Sequence, residues 1–119
     1  MALTPPLDEI VRQTLIQLPL TTGTAVLGDD AFFTITPQLT SGLIFITIVS
    51  GSRNAQGVFS YDSSGAVLVT TATSFEATTG ALNGTTGTDT KFIVSGDSSK
   101  IYLENRLGEA KNVHWLIIS

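Results

Sequence analysis

Residues 31–54 read AFFTITPQLTSGLIFITIVSGSRN, and their pattern decides the fold class. Phe33 and Ile35 alternate with Phe32 and Thr34, the period of two that puts side chains on opposite faces of a strand. Thr40-Ser41-Gly42 interrupts the run with turn chemistry. A seven-residue apolar stretch, Leu43–Val49, then follows and stops at Gly51-Ser52-Arg53-Asn54. That stretch is broken by Thr47 and is far short of the ~20 residues a membrane helix needs. It lacks polar alternation, as does Trp115–Ile118. Two arrangements fit such runs: central strands covered on both faces, or strands with one face against another subunit.

The same grammar of strand and turn continues in both directions. Strands are expected near 22–27, 31–36, 43–49, 57–61, 66–71, 73–78, 91–95, 100–104 and 112–118. Gly28-Asp29-Asp30, Asp62-Ser63-Ser64-Gly65, Asn83-Gly84, Ser95-Gly96-Asp97 and Leu107-Gly108-Glu109 supply turns. Phe92 and Val94 alternate with Ile93 and Ser95. Residues 78–90, TTGALNGTTGTDT, are the most loop-like part, with only Ala81 and Leu82 apolar. Composition agrees with the pattern: 18 Thr and 11 Ser in 119 residues suit pleated strands, and charged residues make up only 13%. The expected fold is all-β, an antiparallel sandwich or jelly-roll-like barrel of about eight strands over residues 20–119.

Residues 1–19 differ in pattern. Thr4 can cap, Pro5 suits the first helical position, and Asp8 and Glu9 sit where a helix dipole favours acids. Leu7, Ile10, Val11, Leu15 and Leu18 then recur at helical spacing until Pro19. The spacing predicts a short amphipathic helical arm, which is marginal alone and must dock its stripe. Either it closes the end of its own sandwich, or it packs on another subunit.

The chemistry-bearing residues exclude more than they suggest. With net charge −4 and six Lys and Arg scattered singly, no cluster exists to neutralise phosphates, so neither nucleic acid nor an anionic membrane is an expected partner. Zero cysteines exclude disulfides, thiol nucleophiles and Cys-ligated zinc. Met1–Pro6 has no basic stretch and is followed by Asp8 and Glu9, so synthesis in a cytoplasm without export is expected. His114 is the one histidine and falls on the face opposite Val113, Trp115 and Ile117; no nucleophile-elbow pattern accompanies it. Asp62, Asp89 and Asp97 lie in turns without a calcium-loop spacing. Asp29, Asp30, Glu76 and Glu104 offer carboxylates, but no spacing selects a catalytic pair. Tyr61, Tyr102 and Trp115 sit among apolar neighbours and read as core residues, not as a sugar platform. No enzyme activity, cofactor or metal is expected.

Four stretches carry a resemblance: DDAFFTITP at 29–37, SGLIFI at 41–46, TGALNGTTGTD at 79–89 and KIYLENRLG at 100–108. Together they resemble small β-sandwich domains of tailed-bacteriophage virion proteins, found as capsid decoration (cement) proteins and as fibre tips, commonly trimeric. The resemblance implies a homotrimer on the capsid surface of the virion, bound to the major capsid protein and stabilising the shell. The alternative it implies is a fibre-tip module that recognises a host surface glycan through a loop such as 78–90. A long shaft and virion-attachment segment, usual before a fibre tip, are not present here, which favours decoration. Candidate subunit or capsid contacts are Leu7, Ile10, Val11, Leu15, Leu18, Trp115 and Ile117.

Overall fold

A computed structural model of the protein describes residues 20–51, 54–69 and 73–119. The expected helical arm, with Leu7, Ile10, Val11, Leu15 and Leu18, lies outside the described residues. The described part is all-β and contains nine strands: β1 (Leu20–Leu27), β2 (Ala31–Ile35), β3 (Gly42–Val49), β4 (Ala55–Asp62), β5 (Gly65–Leu68), β6 (Phe75–Thr79), β7 (Phe92–Asp97), β8 (Lys100–Asn105) and β9 (Lys111–Ile118). They form two packed sheets, one of five strands in the order β1-β9-β3-β4-β5 and one of four in the order β2-β8-β7-β6.

Alternation sorts the side chains as the sequence suggests. Ile44, Ile46 and Ile48 of β3, Phe59 and Tyr61 of β4, and Val113, Trp115 and Ile117 of β9 point inward from the larger sheet. Ile35 of β2, Phe75 of β6, Phe92 and Val94 of β7, and Ile101 and Leu103 of β8 meet them from the smaller one. Aromatic pairs bolt the sheets together at two places: Phe59 meets Phe75 edge-on at 5.3 Å, and Phe33 lies 5.2 Å from Trp115. Such pairs contribute about 1 kcal/mol beyond the area they bury.

The antiparallel expectation fails at one pair. β6 and β7 run parallel, with Phe75 opposite Phe92 and Thr79 opposite Gly96. Parallel neighbours cannot be joined by a tight hairpin; they need a crossover of a dozen or so residues. The crossover is residues 80–91, the loop-like stretch of the sequence, and it contains no helix.

That crossover lies on the outer face of the four-stranded sheet. Ile93 and Ser95 of β7 and Glu104 of β8 point away from the core, yet all three are fully buried. Leu82 of the crossover is buried as well, although neither it nor Ile93 belongs to the main core. A Cβ on Gly87 would stand 2.3 Å from Ile93, and one on Gly84 would stand 2.4 Å from the Asp30 carbonyl oxygen. Backbone without side chains is therefore what lets the loop lie flat. The smaller sheet is roofed by its own chain.

Candidate interaction surface

The roof is latched by Glu104 and Arg106, and Asn105 between them turns the other way and ties neighbouring loops together. The Glu104 carboxylate accepts backbone N–H bonds from Gly84 (2.8 Å), Thr86 (3.1 Å) and Gly87 (2.7 Å). Arg106 donates Nη1–H to the Gly87 carbonyl at 2.6 Å and Nε–H to Asp30 at 3.2 Å. Asn105 points inward and donates to the carbonyls of Leu27 and Glu109, both at 2.8 Å, while its own oxygen accepts from the Leu107 N–H. Asp29 accepts from the Gly108 N–H at 2.9 Å. Two of the stretches that carry the resemblance, 79–89 and 100–108, are thus one hydrogen-bonded unit, and 29–37 is tied into it through Asp29 and Asp30.

Lys111 makes a second buried polar centre. Its side chain has no exposed surface, and Nζ donates to the Ser50 carbonyl at 2.6 Å and to Glu109 Oε1 at 2.7 Å. The strand-end segments before β4 and before β9 are held to each other by this ammonium.

These bonds and their neighbours occupy four of the carboxylates singled out in the sequence. Asp29, Asp30, Glu104 and Asp89 each bind backbone or Arg106. No group of three His, Asp or Glu side chains suited to a metal occurs among the described residues. His114 is exposed on the outer face of β9, and its cross-strand neighbours are Thr24 and Thr47. An open cleft of about 400 Å³ lies at the β4–β5 turn, lined by Ser41, Ser60, Tyr61, Asp62, Ser64 and Thr79. Its carboxylate is occupied: the Ser64 hydroxyl, joined by the Ser64 N–H, holds the Asp62 carboxyl below its ordinary range. Tyr61 is buried, and its hydroxyl is paired with Ser119. Tyr102 is half-buried on the roofed side, and Trp115 is in the core.

The outer face of the five-stranded sheet contrasts with the roofed one. Its registers line up two rows across all five strands. The first is Leu20, Ile118, Leu43, Ser60 and Val67; the second is Thr22, Leu116, Phe45, Val58 and Val69. Phe45 is 38% exposed, Leu43 39%, Val67 64% and Val69 59%. No other described element covers these rows, and Asp62 at the corner carries the one formal charge on the outward positions of the sheet. The apolar runs of the sequence are thus central strands, buried inward and exposed outward.

Trp115 and Ile117 turn inward, at 9% and 0% exposure, so they support the face from beneath. The side chains of β9 that look outward are Asn112, His114, Leu116 and Ile118, and the apolar pair among them is Leu116 and Ile118. Sequence reasoning named the strand but chose its inward positions. The signal that sorts them is the alternation against Lys111 and Val113, which share the inward face. Comparisons with protein families, with curated proteins and with solved structures find no match.

Proposed function

We propose that the protein is a non-enzymatic capsid decoration protein of a tailed bacteriophage, acting as a homotrimer on the outer surface of the head. The observation that carries this reading is the asymmetry of the two sheets. One is largely roofed by its own loop, and the other offers an uncovered, nearly chargeless face on which two mainly apolar rows lie beside a polar half. The resemblance of four stretches to virion β-sandwich proteins supports the same reading, and three of them meet in the unit organised by Glu104, Asn105 and Arg106. The carboxylates of Asp29, Asp30, Glu76 and Glu104 are engaged in holding loops.

Mechanistically, such a protein works by mass action. Each copy adds contacts between neighbouring capsid subunits, and whatever binds only the assembled shell stabilises it against disassembly. Many weak additions over one head sum to a large resistance to internal pressure.

Immunogold electron microscopy of particles of the phage that encodes the chain tests this. Label spread over the head surface is the expected result. Label confined to fibre or tail ends would replace the reading with the glycan-recognising fibre tip, and particles without label would overturn both.

A further inference from the structure

We infer that copies of this chain meet through the outer face of the five-stranded sheet, with the rows containing Leu43, Phe45, Val67 and Val69 turned toward the common axis. This names the interface of the trimer in the proposed function and rests on that reading for the number of copies alone. The face itself argues for a like partner. It offers no pattern of charge for a charged partner to match, and an apolar surface is complemented by another apolar surface. Asp62, at the rim, is the kind of residue that stays wet when such a face closes.

Size argues the same way. At ~4.8 Å per strand and ~3.4 Å per residue the whole face spans roughly 24 by 27 Å, about 650 Å² in projection, with the two apolar rows filling about half of it and Thr24, Thr47, Gln56, Asn112 and His114 forming most of the polar remainder. That is the scale of the ~800 Å² each partner contributes to a stable interface. Sheets also pack on sheets readily, at ~10 Å, with β-branched and aromatic side chains interdigitating. On the opposite face the crossover covers Ile93, Ser95 and Glu104 and leaves Phe32 exposed on the β2 edge strand, so the two faces are not interchangeable.

The test uses the full chain and its lack of cysteine. Light scattering gives the mass of the native protein and of Phe45→Glu, Val67→Glu and, as a charge control in the β7–β8 turn, Ser99→Glu. The native protein and the control are expected at three chain masses, and the two face variants at one, a threefold fall. Trp115 fluorescence is read in each variant to establish that it is folded, and Val69→Cys is labelled with a maleimide in otherwise native protein. Its labelling is expected to be at least tenfold slower when concentrated than when diluted to monomer. A native trimer that both face variants preserve overturns this interface while leaving trimeric decoration intact. A native monomer overturns the interface and the trimer together. In that monomer, a Val69→Cys protected at every dilution would identify the chain's own residues 1–19 as the cover.

Discussion

Glu104 shows what one side chain can decide. It stands in β8 next to Leu103, fully buried, and its two oxygens satisfy the N–H groups of Gly84, Thr86 and Gly87. Glu104→Gln keeps the shape but turns one acceptor into a donor that faces an N–H. Leaving a buried donor without a partner costs about 1–3 kcal/mol. The expected outcome is a loss of that size in urea unfolding, with faster hydrogen exchange at residues 84–87 and unchanged exchange in β3. Lys111 is the second such position. Lys111→Ala leaves the Ser50 carbonyl and Glu109 without their ammonium, and about 3 kcal/mol is expected to be lost in the same assay, the low end for a buried pair because Glu109 keeps 37% of its side chain exposed. Asp62 contributes differently. Its carboxyl sits below its ordinary value because of Ser64, so its bonds stabilise the fold above the unfolded carboxylate range and fade as pH falls through the folded value. In the sequence, Glu104 and Lys111 were visible only as charges beside apolar runs. Nothing local says that such a charge is buried: the partners of Glu104 are some twenty residues away, and although Glu109 stands two residues from Lys111, the Ser50 carbonyl that completes the site is about sixty away.

At the scale of elements, the strands were legible and one connection was not. Period-two alternation placed Phe33 and Ile35 against Phe32 and Thr34, and turn residues such as Asp62-Ser63-Ser64-Gly65 marked the hairpins correctly. The parallel pairing of β6 and β7 escaped because a crossover is usually announced by a helical pattern, and residues 80–91 have none. What the stretch does carry is one buried leucine, Leu82, and two glycines whose missing side chains let it touch the sheet. Gly87→Val tests the roof as an element. A side chain there meets Ile93, so the loop must lift, with a stability loss of about 1–3 kcal/mol. Limited proteolysis is expected to cut the variant within 80–91 and to leave the native protein whole. Resistance of both would mean that the loop is not held by its contact with Ile93. Which face of β9 a residue joins was legible in principle, since Val113, Trp115 and Ile117 alternate with His114 and Leu116.

The whole molecule has its first and last described strands woven together. β9 lies between β1 and β3, and β8 lies between β2 and β7. During synthesis, then, β1, β2 and β3 must wait for partners made last. The interval from Leu20 to Ile118 amounts to ~5–20 s of translation. Through it Leu43–Val49 has neither β9 beside it nor a partner sheet beneath it, and a run of seven residues with high β-propensity and no charge is the kind that pairs with its like. The protein's yield in a cell therefore depends on concentration and temperature during those seconds, because the strand that seals the larger sheet is also the last of the nine to be made.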